Sequence, residues 1–161
     1  MANQSEAINL DALKQFLIRA NMPHALGTAK TVKEVDGSRT IEYEEDDYRM
    51  HDNFFGGEPY GGRLVVFYKD KPLFLEVYYG QTDKPADKVY GFLREALQHP
   101  DDKNPFRGPA EYIKNNLTYK SSTEGDVVSH TVREYIYQGD EEIYSAIIVG
   151  GLVDQNAQDA M

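Results

Sequence analysis

The sequence predicts an α+β fold, a curved and mostly antiparallel sheet of about six to eight strands carrying an N-terminal helix and a central helix. Three observations lead there. Between residues 27 and 149 the chain is mostly short runs of alternating apolar and polar residues broken by Gly, Asp and Ser turns, as hairpins and meanders require. Only two stretches, near 9–22 and 85–98, repeat their apolar residues at helical spacing. The aromatic residues are twelve Tyr and seven Phe with no Trp. Tyrosine buries its ring but needs a partner for its hydroxyl, which suits a sheet with one wet face.

Composition narrows the function classes. A chain of 161 residues with 40% hydrophobic residues has enough apolar material for one core. The expected division is a flexible N-terminus over 1–8, one α+β domain over 9–153 and a disordered tail over 154–161. A net charge of −10 leaves no basic stripe for phosphates, which argues against direct nucleic-acid binding and against an anionic membrane surface. Cysteine is absent, which excludes disulfides, thiolate metal sites and a cysteine nucleophile. No apolar run reaches membrane length and the N-terminus has no basic-then-apolar signal pattern, so the expected location is the cytoplasm.

Each element has its own local reason. Asn9 is the N-cap of the first helix, Asp11 lies in the first turn where the dipole favours a carboxylate, and Leu10, Leu13, Phe16, Leu17 and Ala20 form one stripe up to the limit set by Pro23. Residues 27–35 and 39–45 read as a hairpin around Asp36-Gly37-Ser38. Strands follow near 47–55, 62–69 and 72–79, the last pair joined at Asp70-Lys71. The second helix runs over 85–98 with Val89, Phe92, Leu93, Ala96 and Leu97 on one face. A short helical piece is expected near 110–115, then strands at about 117–123, 127–138 and 142–149. Residues 48–80 and 119–150 share the order strand, glycine turn, strand, tight turn, strand, glycine. A duplicated meander gives that order, and so does any long antiparallel sheet.

Candidate site residues come from alternation. Tyr48, Met50, Asp52 and Phe54 fall on one face, Arg49, His51, Asn53 and Phe55 on the other. The first set is the more apolar, which points Asp52 toward the interior or a cleft, and buried carboxylates gather at functional sites. Equally, Asp52 can serve the following turn as a hydrogen-bond acceptor. Gly56-Gly57-Glu58-Pro59-Tyr60-Gly61-Gly62 is followed by a strand and not a helix, so it reads as a bulged connection and not a phosphate cradle. The four histidines are scattered, and His51 and Asp52 point to opposite faces, so no metal site is expected and no cofactor is implied. Glu58, Glu76 and Glu134 are available as acid–base partners of Asp52, with no spacing that selects one. Arg107, held in a stiff Phe106–Pro109 loop, suits either an anionic group or a structural ion pair.

The stretch Asp52-Asn53-Phe54-Phe55-Gly56-Gly57-Glu58-Pro59-Tyr60-Gly61-Gly62, with Lys71-Pro72 through Tyr78-Tyr79-Gly80 and Phe106-Arg107-Gly108-Pro109, resembles a bacterial domain family of unknown function. The resemblance covers residues 12–152. It departs at Asp70, where a turn Asn or Gly is usual, and at Phe74, where Trp is common. Members of that family stand alone or follow an Xre-type helix-turn-helix regulator domain, which implies sensing or effector binding and transfers no catalytic residue.

The expected function is therefore non-catalytic binding or sensing of a small molecule or a protein partner, with a pocket of Tyr48, Asp52, Phe54, Tyr79 and Arg107. Two alternatives stand beside it. One is a small hydrolase or isomerase using Asp52 with Glu58 or a tyrosine. The other is a homodimeric interaction module formed through an exposed sheet edge.

Overall fold

A computed structural model describes residues 7–102 and 104–155. Chain order is α1 (Leu10–Ala25), β1 (Val32–Lys33), β2 (Arg39–Glu45), β3 (Tyr48–Gly56), β4 (Tyr60–Tyr68), β5 (Lys71–Thr82), α2 (Ala86–Ala96), β6 (Glu111–Lys114), β7 (Leu117–Gly125), β8 (Ser129–Gln138) and β9 (Glu141–Leu152). All nine strands form one open antiparallel sheet in the order β1-β2-β3-β4-β5-β9-β8-β7-β6. Two helices on a largely β chain fit the α+β class, and nine strands exceed the six to eight expected. The expected tail over 154–161 lies mostly, and the expected flexible N-terminus almost wholly, outside the described residues.

The departures have local causes. Residues expected as a short helix near 110–115 form β6, because Asn115 adopts a left-handed φ of 56° and closes a two-residue hairpin onto β7. The strand expected over 27–35 shrinks to Val32–Lys33, since the Pro23 carbonyl accepts the N–H groups of Thr28 and Ala29 and holds that stretch to the helix end. Pro23 sits inside the last turn of α1, two residues short of its end. Gly56 pairs with Tyr60, so the glycine-rich link is a tight turn over 57–59 with no bulge in it.

Both helices cover one face. Leu13, Phe16, Leu17 and Ala20 of α1 pack with Ile41, Met50, Leu64, Val66, Phe74, Val132 and Ile148, all of which the registers place on the same side of the sheet. Val89, Phe92, Leu93 and Ala96 of α2 pack with Tyr119, Ile136, Tyr144 and Ala146 further along that face. Burying each large side chain stabilises the fold by about 1.5–3 kcal/mol. Asn9 caps α1 by accepting the Ala12 N–H at 3.0 Å.

The strands β3–β5 and β7–β9 form two meanders of matching layout. One bulge lies between Val66 and Phe67 and the other between Ile136 and Tyr137, opposite Pro72 and Glu142 respectively. Gly56 and Gly125 end the first strand of each unit at φ 76° and 87°. Where the units meet, Tyr78 pairs with Ile148 and Phe74 with Leu152. The matching bulges are shared by two meanders whose sequences carry the same order of strands and turns.

Candidate functional site

The covered face of the sheet carries buried polar groups. Residues that pair across strands share a face, so Asp52, Leu64, Glu76, Gly150 and His130 form one row over β3, β4, β5, β9 and β8. The next row holds Phe54, Gly62, Tyr78, Ile148 and Val132, and the one after it Tyr60, Gly80, Ala146 and Glu134. Glycine at 80 is a requirement of Tyr60, and glycine at 62 of the adjoining β3 backbone as well as of Tyr78. A Cβ on Gly80 would meet the Tyr60 hydroxyl, with its ring carbons at 2.5–2.6 Å, and one on Gly62 would meet the Asn53 carbonyl, with the Phe54 Cβ and the Tyr78 hydroxyl both at 2.7 Å.

Over these rows, beneath α1 and α2, lies a cavity of about 330 Å³. Its inner wall includes Asp52, Phe54, Tyr60, Glu76, Tyr78 and Arg107, and its helical side includes Leu93 and Leu97. Asn21, His24, Arg39 and Arg94 also belong to the lining, the last three being exposed residues at the mouth.

Three charged groups meet here, each in a different state. Glu134, with 0% exposure, accepts Arg107 Nε at 3.1 Å, Tyr119 Oη at 2.8 Å and Tyr144 Oη at 2.7 Å. Arg107 Nη2 also donates to Glu134 at 3.1 Å and to the Tyr60 hydroxyl at 3.3 Å. Burial disfavours the arginine charge, but Glu134 and the surrounding tyrosines overcome that and hold the guanidinium firmly ionised. The loop that carries Arg107 is fastened on both sides. Phe106 stacks on His130 with centroids 3.8 Å apart, Gly108 lies against the Tyr119 ring, and Pro109 accepts the Ser121 hydroxyl at 2.7 Å.

Glu76 and His130 form the second group. His130 Nε2 is 2.9 Å from Glu76 Oε1, and its Nδ1 is 3.0 Å from the Asp126 carbonyl. A carbonyl only accepts, so Nδ1 carries a hydrogen, and one further proton is shared between Nε2 and Glu76. Burial raises the pKa of Glu76 against the pull of His130. The imidazole is held between Phe74 and Phe106.

Asp52 is the third. Tyr78 donates its hydroxyl to Oδ1 at 2.5 Å. Among the described residues Oδ2 receives no hydrogen bond, and Asp52 belongs to the cavity lining. Burial pushes the Asp52 pKa up to about 6, although the Tyr78 hydrogen bond and the Arg107 charge pull it down. The same carboxylate, after burial itself, raises the pKa of Tyr78.

The residues singled out by sequence separate in space. Asp52, Phe54 and Arg107 share the cavity wall. Tyr48 sits nearer the hairpin end of β3, stacked on Phe16 at 5.1 Å and against Tyr68 at 4.9 Å. Tyr79 pairs with Gly61 and Ile147 on the uncovered face and is 49% exposed. Glu58 is exposed at the turn, where it accepts the Thr82 N–H at 2.9 Å and the Tyr90 hydroxyl. Sequence reasoning did not single out Tyr60, Tyr78 or His130, and left Glu134 and Glu76 unranked. The signal was present: in Val132-Glu134-Ile136 and Phe74-Glu76-Tyr78 a carboxylate holds an inward strand position between apolar neighbours.

Among the described residues no group of three or more His, Asp or Glu side chains is placed to hold a metal ion, and no helix is long and apolar enough to cross a membrane. The model of a domain of unknown function, DUF5680, matches residues 52–153, which span β3 to β9 and include Asp52, Tyr60, Tyr78, Arg107 and Glu134. No curated protein and no solved structure matches the chain.

Proposed function

The chain belongs to the DUF5680 family, and because that family has no known function we propose from the cleft alone that the protein binds a small organic molecule between its helices and the sheet. The observation that carries this is a carboxylate, Asp52, with one oxygen unpartnered among the described residues, in the lining of a cavity of about 330 Å³ with aromatic walls and a braced Arg107. A mostly apolar hollow with a few fixed polar groups is the usual make-up of a ligand site, and this volume suits a compound of metabolite size. Binding here would be read out through a partner, in keeping with the resemblance to domains that follow a helix-turn-helix regulator.

One feature favours a second reading. A carboxyl that titrates near pH 6 beside a tyrosine hydroxyl has the acid–base character of a small isomerase or hydrolase site. In that reading Asp52 moves the proton and Tyr78 orients it. Glu58, outside the cavity lining, has no part.

A thermal-shift screen against metabolites separates these. A compound at about 100 times its Kd adds roughly 2.7 kcal/mol, worth several degrees in a domain of this size. Amide chemical-shift changes confined to Asp52, Phe54, Tyr60 and Arg94 would support the cleft. Hits that map to the uncovered face, or none at all, would sink it. Turnover of a hit by the wild type and its loss in Asp52→Asn would establish the enzymatic reading.

A further inference from the structure

The charges around the cleft are sorted by depth. Arg107 is neutralised by Glu134, and Glu76 shares its proton with His130, so inside the cavity only Asp52 is left without an opposite charge. At the mouth stand Arg39 and Arg94, both exposed, and neither is paired with a carboxylate among the described residues. In a chain of net charge −10, several surface cations have acidic neighbours, as Arg19 has Glu45 and Lys114 has Glu95, and others have none among the described residues. What distinguishes this opening is that two such arginines, Arg39 and Arg94, stand on it together. His24 beside them adds no charge near neutrality, since shielding of its ring, then Arg107 and Arg94, lower its pKa.

We propose that the cleft takes a dipolar ligand, a protonated amine seated against Asp52 at the inner end and a carboxylate held at the mouth by Arg39 and Arg94. This rests on the cleft being a ligand site at all. An ammonium supplies what Asp52 lacks, a donor to Oδ2 and a compensating charge. The rings of Phe54, Tyr60, Tyr78 and Tyr90 line the route inward, where aromatic faces attract a cation. Arg63 also acts on Asp52, but it is exposed and stands on the other side of the sheet. A simple amine would cross the two positive arginines with nothing to offer them. A simple acid would satisfy the mouth and leave a second negative group facing Asp52. Only a molecule with both ends meets both fields.

The test uses the whole chain and three dipolar probes of different length: 4-aminobutanoate, 6-aminohexanoate and 4-(aminomethyl)benzoate. Their single-ended matches are butylamine, hexylamine, benzylamine, butanoate, hexanoate and 4-methylbenzoate. Titration calorimetry on the wild type is expected to favour at least one dipolar probe over both of its matches by at least roughly tenfold. Asp52→Asn, which keeps an acceptor for Tyr78, should abolish that binding. Arg39→Met with Arg94→Met should remove the preference over the amine alone. Equal binding of amine and dipolar probes, insensitive to the arginine changes, would overturn the proposal. So would tighter binding of an acid or an uncharged compound, or binding that improves in Asp52→Asn, and in those cases the cleft remains a ligand site. If no probe binds, the dipolar assignment is overturned, and if the metabolite screen also leaves the cleft unperturbed, the ligand site is overturned with it.

Discussion

Arg107 and Glu134 meet edge to edge, with Nε 3.1 Å and 3.2 Å from the two carboxylate oxygens, and the glutamate has no solvent exposure. The pair joins a loop to β8 and fixes one wall of the cavity. Three tyrosines complete it, two donating to Glu134 and Tyr60 accepting from Arg107. Separation of two such charges from water is costly, so the pair matters less for the energy it adds than for what either charge costs alone.

Removing one partner should therefore be far worse than removing both. Glu134→Leu is expected to destabilise the fold by about 3–5 kcal/mol, because the partly buried guanidinium loses its counter-charge and the buried Tyr119 and Tyr144 hydroxyls lose their acceptor. Adding Arg107→Met should recover most of that loss. Urea denaturation of the two single variants and the double variant measures the coupling, and additive effects would refute it.

Asp52 gives a pH signature with a definite sign. Its pKa is about 6 in the folded protein and near 3.9 in an unfolded chain, so the folded state holds its proton more tightly. Stability from this group is then present below about pH 4 and lost as pH rises through 6. The groups acting on it are Tyr78 and Glu76 on β5, Arg63 on β4 and Arg107 from the loop. Asp52→Asn should be more stable than the wild type at pH 7.5, by on the order of 1–3 kcal/mol. That advantage should shrink toward pH 4.5. A loss of stability at pH 7.5 would mean that the ionised carboxylate is a structural acceptor.

Gly80 is demanded by Tyr60. Alanine there would put its Cβ against the Tyr60 hydroxyl and 2.5–2.6 Å from its ring carbons. Gly80→Ala should cost about 1–3 kcal/mol, as overpacking does. Tyr60→Ala introduced with it should lower the penalty of the glycine change to near zero. Thermal melts of the four-member cycle read this directly, and an unchanged penalty would place the clash elsewhere.

His130 is expected to be indispensable for packing. It lies between Phe74 and Phe106 and satisfies Glu76, which is 3% exposed. His130→Ala should cost about 3 kcal/mol or more, since it opens a cavity and orphans a buried carboxyl. Glu76→Leu in the same chain should relieve part of it, as chemical denaturation would report.

The local rules of the chain were readable without the fold. Alternation in β3 put Asp52 and Phe54 on one face and His51 and Phe55 on the other, and the registers agree. The stripe from Leu13 to Ala20 marked α1, and the one from Val89 to Leu97 marked α2. The hairpin at Asn115 was missed because a left-handed asparagine carries a weaker signal than glycine. Tyr48 and Asp52 share a face, but two residue pairs along a strand is a long way in a cavity of this size, and α1 covers the one while the other stays open.

By itself, then, the sequence determined which residues face the core, where most chain reversals fall and the acidity of the surface, because these follow from local sterics and from side-chain chemistry along the chain. Only the tertiary structure decided that Arg107 answers to Glu134 and not to another carboxylate, that His130 takes Glu76, and that Asp52 is left without a charge partner. Those pairings join residues 27 and 54 positions apart. The Glu76–His130 pairing depends on β5 meeting β9, a junction between two meanders that no local pattern encodes. The coincidence of the two bulges belongs to the same level, since a bulge exists only in the pairing of one strand with another.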